Sequence, residues 1–351
     1  MVRSSEATAV IDTNASSSAF GWDFQSNAAI LLALKNIKCL ESLKVEGKID
    51  DIELYLKDSK TIFVQAKSQE DPTSSTNTLT KLRDALKTLI NATNQSKYEK
   101  IIYVSNIMNP LKDKELFYYF MGHGVLKYTY TELNNPAKGI IKKYIDNAAK
   151  KFNLSLSYLD YNKLEIWSFP FFGEDKETRY RIINEAVKTF LASADISEGI
   201  AQHLLDYWQN IFFQNASTKL VKLKKEDLIW PVVVLDSSIS YYDSFFDNYD
   251  PGEIEEIVRK YNTFINKKSE QFEFVTKVVN DFTKFQKENH SLKRKESIGK
   301  FIETNWKSYD SLFKNNLLEP DIKEGVIKLV LTKILTNRFR IDSVKKAAGL
   351  L

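Results

Sequence analysis

Scarcities in this chain exclude much of the usual chemistry. Its 351 residues hold a single cysteine, Cys39, so no internal disulfide can form, which suits a reducing cytoplasm. With three histidines beside it, a zinc site of Cys and His ligands is not expected. Eleven glycines and seven prolines are too few for a fibrous or extensively disordered chain. No apolar run approaches the roughly 18–20 residues needed to cross a bilayer. Residues 1–20 are rich in Ser, Ala and Thr, carry Glu6 and Asp12 and lack an apolar stretch, so they read as a tail and not a signal peptide. Nor is there a surplus of one charge. Fifty basic and 46 acidic residues leave +4, which permits nucleic-acid contact without announcing it. Any metal is expected to be a hard cation held by oxygen.

What is present is ordinary globular material, 43% hydrophobic and 27% charged, and long enough for two domains with a core each. From Gly21 to about Leu40 the chain is helix-forming and apolar nearly all round. Three strand-like runs follow, Ser42–Glu46, Asp51–Lys57 and Thr61–Ala66, with Asp58-Ser59-Lys60 as the loop between the last two. Leu79, Leu82, Leu86, Leu89 and Ile90 recur at helical spacing between Thr78 and Thr93, and Lys100–Ser105 is a short apolar strand. The order is helix, three strands, helix, strand. Its strand–helix–strand passage from Thr61 to Ser105 predicts two parallel strands in a mixed sheet.

Beyond Pro110, Asp113–Tyr119 and Asn135–Lys151 read as helices, and Leu154–Leu159 and Lys163–Phe169 as strands. From Lys176 the pattern is mostly helical, over Thr178–Ala192, Ser197–Gln214, Pro251–Asn289 and Ile298–Leu312. Ile229–Leu235 reads as an edge strand because of Pro231. The expected architecture is an α/β N-terminal domain over 21–150, after a tail over 1–20, followed by a mainly α-helical region over 151–351.

Alternation selects the candidate site. Ile52, Leu54 and Leu56 share one parity and Asp51, Glu53 and Tyr55 the other; Ile62, Val64 and Ala66 oppose Thr61, Phe63, Gln65 and Lys67. With the loop at Asp58–Lys60, Asp51 is expected opposite Lys67, and Glu53, as an exposed face residue, opposite Gln65. A carboxylate and an amide oxygen suit Mg²⁺ or Mn²⁺, which keeps several waters. The ammonium of Lys67 suits positioning of the attacking water or stabilisation of phosphate charge. Asp51, Gln65 and Lys67 are therefore the candidate catalytic residues, with Asp51 and Gln65 as metal ligands. Glu46 and Asp50 are accessory candidates, for a second metal or for its surroundings.

Asp51 with Gln65-x-Lys67 resembles the PD-(D/E)xK nuclease superfamily in its D…QxK variant, as in Mrr-type restriction enzymes. The αβββαβ order matches the restriction-endonuclease-like core of that group. A closer resemblance covers Gly21 to about Asn106: Gly21-Trp22-Asp23-Phe24-Gln25 opening the first helix, then Glu46, Asp50-Asp51-Ile52, Gln65-x-Lys67 and Val104-Ser105-Asn106. It is similar to the dsDNA-nuclease effector domain of bacterial anti-phage systems, found in CBASS and Lamassu effectors. This resemblance implies catalytic Asp51, Gln65 and Lys67, with Gln25 bordering the site. No nucleotide-sensing domain of the CBASS kind is evident, and the helical half resembles the Lamassu accessory region that docks on an SMC-like ATPase complex.

The expected function is a cytoplasmic, Mg²⁺-dependent endonuclease acting on double-stranded DNA, inactive until a partner complex or oligomerisation triggers it. The rivals are an inert nuclease-fold scaffold or DNA-binding subunit, a helical interaction protein without a site, and an RNase on the same core. His123 in its Gly-flanked loop, His203 and His290 read as structural, and Cys39 as a buried core thiol. The basic runs Lys222–Lys225 and Lys293–Lys295 read as solvated faces.

Overall fold

A computed structural model describes residues 16–112, 116, 119–236, 239, 243–265, 271–313 and 319–351. The first elements run α1 (Ser16–Lys35), β1 (Leu40–Val45), β2 (Ile52–Leu56), β3 (Lys60–Lys67), α2 (Thr78–Gln95) and β4 (Lys100–Ser105), the expected helix, three strands, helix, strand. Helix α1 includes Ser16–Phe20, which the sequence suggested belonged to a tail. Then come β5 (Leu126–Thr129), α3 (Asn135–Phe152), β6 (Leu164–Ser168), α4 (Lys176–Ser193), α5 (Ala201–Ser217) and β7 (Leu223–Lys224). Helices α6 (Lys225–Asp236), α7 (Pro251–Ile265), α8 (Gln271–Glu288), α9 (Arg294–Asn305), α10 (Pro320–Thr336) and α11 (Arg338–Ala347) complete the order.

The strands form one mixed seven-stranded sheet in the order β5-β6-β4-β3-β2-β1-β7. β3 and β4 are adjacent and parallel, as the crossover predicted, and β6 continues the parallel set beside β4. β2 and β5 run antiparallel to their neighbours β3 and β6. The chain divides into two compact units. One comprises Met1–Leu31, Lys44–Ile182 and Phe212–Leu220; the other comprises Leu32–Leu43, Ile183–Ile211 and Val221–Leu351.

In the first unit both faces of the sheet are buried. Phe63, Ile101, Tyr103, Leu164 and Ile166 pack with Leu82, Leu86, Leu89 and Ile90 of α2 and Ile141 and Ile145 of α3. Residues of the other parity, Ile62, Val64, Ile102 and Val104, are buried too, and Phe169 stacks on Phe24 of α1 with ring centres 5.1 Å apart. Covering by helices on both sides is what parallel strands require. Helix α3 starts where the Asn134 side chain accepts the Ala137 N–H and stops at Asn153, whose φ of 51° is left-handed.

Two expected elements differ. Leu154–Leu159 forms turns and no strand. Side chains from the end of α2 and the residues after it take its backbone groups instead: Asn94 brackets Ser155 through two hydrogen bonds (2.9 and 3.1 Å), and the Tyr98 hydroxyl donates to Tyr158 O. Ile229–Leu235, expected as an edge strand, lies inside α6. An apolar run this short does not distinguish strand from buried helix by periodicity. Glu226 and Asp227 in the first turn suit a helix start, and Asp227 accepts the Lys224 N–H at 2.9 Å. The single helix expected over Pro251–Asn289 is described as α7 and α8, with 266–270 outside the described residues. The helix expected at Asp113–Tyr119 falls largely outside them as well. Cys39, expected as a buried core thiol, is exposed, and the sequence reading places no individual element at β5, β7, α10 or α11.

Candidate active site

The β2–β3 hairpin sets the site, and its register differs from expectation by two residues. Ile52 pairs with Val64, Glu53 with Phe63 and Leu56 with Lys60, so the loop is Lys57–Ser59 and not Asp58–Lys60. The turn needs left-handed backbone, which Asp58 (φ 65°) and Ser59 (φ 57°) supply. Lys60 is thereby released into the strand, where its ammonium meets Glu99 at 3.0 Å. A shift of two preserves every parity.

Asp51, just before β2, still reaches the end of β3. Its Oδ2 accepts the Lys67 ammonium at 3.0 Å and the Ala66 N–H at 3.1 Å. Gln65 turns to Asp50: its amide nitrogen donates to Asp50 Oδ1, which also accepts the Asp51 N–H at 3.1 Å. Asp50 is only 4% exposed, and its Oδ2 is buried without a hydrogen-bond partner. Burial above all, then the charge of Asp51, pushes the Asp50 carboxyl up to about 7, against the opposing bond from Gln65.

The turn between β1 and β2 is clamped from two sides. Gln25 of α1 donates to Glu46 Oε1 at 2.7 Å and to Asp51 O at 2.9 Å, so it joins the turn to the helix. Glu46 itself adopts φ 53°. From the sheet side, Glu53 is buried and not exposed as the alternation suggested, because helices cover both faces. Its Oε1 accepts the Ile49 and Asp50 N–H groups (2.6 and 3.2 Å) and its Oε2 the Tyr55 hydroxyl. A Cβ on Gly47 would sit 2.3 Å from Glu53 Oε1. Gly47→Ala is therefore expected to displace Glu53, cost about 1–3 kcal/mol and lower Tm, a change read by thermal unfolding.

Sequence reasoning missed Lys81, in the first turns of α2. Its half-buried ammonium donates to Ser68 O beside Lys67, and burial together with the charge of Lys67 lowers its pKa. Its one legible sign was a lysine beside an apolar stripe. Two ammoniums thus flank the end of β3, beside the partly exposed carboxylate of Asp51. Asn106 is structural: it bonds Gln69 N and O and Phe171 O, joining the segments after β3 and β6.

The donor set fits a hard divalent cation. It offers Asp51, the partnerless Asp50 Oδ2 and the amide oxygen of Gln65, while Glu46 is held by Gln25. Among the described residues no group of three His, Cys, Asp or Glu is placed to hold a metal. A cation here would take few protein charges and complete its shell with water and phosphate, as Mg²⁺ commonly does.

No protein-family description and no characterised protein sequence matches the chain. Among solved structures, a Cap4 SAVED/CARF-domain containing receptor of Moraxella osloensis is similar over 62% of this chain and 47% of its own, with 13% identity and a TM-score of 0.37. The Acinetobacter baumannii Cap4 receptor with the cyclic trinucleotide 2'3'3'-cAAA is similar over 66% of this chain and 47% of its own, at 14% identity and TM-score 0.35. Another structure of that receptor matches 73% of this chain and 62% of its own, at 13% identity and TM-score 0.34. The chain thus spans about half the length of the first two, and the likeness is distant. No helix among the described residues is long and apolar enough to cross a membrane.

Proposed function

We propose that the first unit is a metal-dependent DNA endonuclease built on a restriction-endonuclease-like core. One observation carries the reading: the Asp51 carboxylate and the Lys67 ammonium meet at 3.0 Å, beside a buried carboxylate oxygen with no partner. Asp51, Gln65 and Asp50 would hold Mg²⁺ or Mn²⁺. When bound, such an ion supplies Lewis-acid stabilisation of phosphate charge and acidifies water. Lys67, whose ammonium stands 3.0 Å from Asp51, would bind a phosphate oxygen or orient the attacking water, a placement suited to charge that grows in the transition state. Lys81 adds a second positive charge for the DNA backbone. Lys81→Ala is expected to weaken DNA binding several-fold and flatten its salt dependence by about one phosphate contact, which a fluorescence-anisotropy titration over salt reads directly.

The biological role proposed is that of an anti-phage effector, and it rests on the joint order of Gln25, Glu46, Asp51, Gln65 and Lys67 in the sequence. A nuclease that cut without sequence preference would damage the cell's own DNA, so restraint until a partner complex or oligomerisation acts belongs to the proposal. The SMC-like ATPase partner is part of the same reading. The sparse carboxylate set favours one rival, an inert nuclease fold that binds DNA. Plasmid cleavage with Mg²⁺, with and without proteins encoded alongside, decides between them. Loss of cleavage with retained binding in Asp51→Asn supports the enzyme, and binding with no metal-dependent cleavage in any combination supports the scaffold. An RNA substrate offered in parallel settles the polymer.

A further inference from the structure

Lys67 pairs with Ser105 on β4, and Ser105 pairs with Ser168 on β6, so the three stand in a row at the carboxyl ends of three parallel strands. Parallel partners in register share a face. Beyond Ser168 the row opens into a cavity of about 290 Å³ lined by Met108, Phe120, Met121, Phe169, Phe172 and Arg181, among others. The carboxyl end of a parallel sheet is where such folds commonly receive ligands. Two strand spacings separate Lys67 from Ser168, about 10 Å, a distance comparable to that from a phosphate to the far edge of a base on the same strand.

The walls have the chemistry of a flat aromatic guest. Phe120 and Phe169 are buried and fixed, Met108 and Phe172 are partly exposed, and Met121 is 45% exposed at the rim. Aromatic and thioether side chains hold a π-face without demanding one base over another. Arg181 stands at the mouth, held by a 2.6 Å bond to His123 O, and supplies positive charge beside the guest.

From this juxtaposition we infer that the cavity is a nucleobase subsite: a base unstacked from the DNA strand bound at Asp51 and Lys67 enters it and positions the neighbouring phosphate. The inference rests on the nuclease reading for the identity of the strand, while the cavity's chemistry stands by itself. A base leaves the stack at a cost of a few kcal/mol, least where pairing is weak. Cleavage is therefore expected to favour mismatched or A·T-rich steps over G·C-rich ones.

The test uses the full chain carrying Lys67→Ala, so that binding is read without cleavage, and duplexes with 2-aminopurine moved along one strand. At one or two positions fluorescence should rise at least twofold on binding, and free deoxyadenosine should compete only weakly. Gly124 lines the mouth, and a Cβ there meets nothing within 4 Å, so Gly124→Trp is the variant chosen to fill the mouth. That variant, and Phe172→Ala independently, should abolish the rise while DNA still binds. In the otherwise native chain, Gly124→Trp should slow cleavage at least tenfold. If bound DNA gives no fluorescence change at any position, or Gly124→Trp neither removes the rise nor slows cleavage, the subsite is refuted while the nuclease reading stands. A rise that Gly124→Trp removes, with no cleavage by the native chain even when the proteins encoded alongside it are present, keeps the subsite and refutes the nuclease.

Discussion

Lys67→Ala is expected to slow DNA cleavage by about 10²–10³-fold, the cost of removing one group aimed at developing charge. The fold should hardly notice. Lys67 and Asp51 are 30% and 20% exposed, and a solvent-reached pair of this kind contributes about 0–1 kcal/mol to stability. Asp51 also keeps its hydrogen bond from the Ala66 N–H. The melting temperature of the variant should therefore stay near that of the native chain, DNA affinity should fall no more than several-fold, and single-turnover cleavage should collapse. Equal losses in binding and cleavage would assign Lys67 to electrostatic attraction of DNA and favour the scaffold.

The second large effect is on stability and has a definite pH dependence. The Asp50 carboxyl is raised to about 7 in the fold, chiefly by burial. A carboxyl raised above its unfolded value stabilises the protein through its protonated form. That contribution is complete below about pH 4, the unfolded aspartate value, and is lost as the pH rises through about 7. At pH 8 the charged Asp50 costs up to about 4 kcal/mol, since each tenfold gain in proton affinity on folding is worth about 1.4 kcal/mol. Asp50→Asn keeps an oxygen for Gln65 and removes the charge. It should raise Tm at pH 8, less the cost of its own unpaired N–H, and have no such benefit at pH 4. Millimolar Mg²⁺ should stabilise the native chain at pH 8 by binding the folded form, and stabilise Asp51→Asn much less. Parallel melting curves at the two pH values check both statements; a Tm gain equal at pH 4 and pH 8 would contradict the first.

Much of this was legible in the sequence because alternation and helical spacing are local. The parity separating Asp51, Gln65 and Lys67 from Ile52, Val64 and Ala66 needs no tertiary knowledge, and it survived a two-residue error in register. The error itself came from the turn. Which polar residues accept left-handed backbone is ambiguous in Lys57-Asp58-Ser59-Lys60, where Asp58 and Ser59 take it. Glu53 was misread for a different reason: alternation marks two faces but does not say that both are covered, and here α2 and α3 bury one of them. The pairing of Gln65 with Asp50, the clamp of Gln25 on Glu46 and the approach of Lys81 to Lys67 all join residues from separate elements. No spacing rule encodes them. Pro231 misled because an apolar run too short to show a period leaves a proline as the loudest signal.

The most direct measurement is cleavage of supercoiled plasmid by the native chain and by Asp51→Asn, side by side over a Mn²⁺ titration, with the proteins encoded alongside present in each reaction. Nicking that rises with Mn²⁺ in the native chain and is lost in Asp51→Asn is the predicted result. Equal nicking by the two proteins, nicking indifferent to the metal, or none by the native chain at any Mn²⁺ concentration would contradict a hydrolytic site at the head of this hairpin.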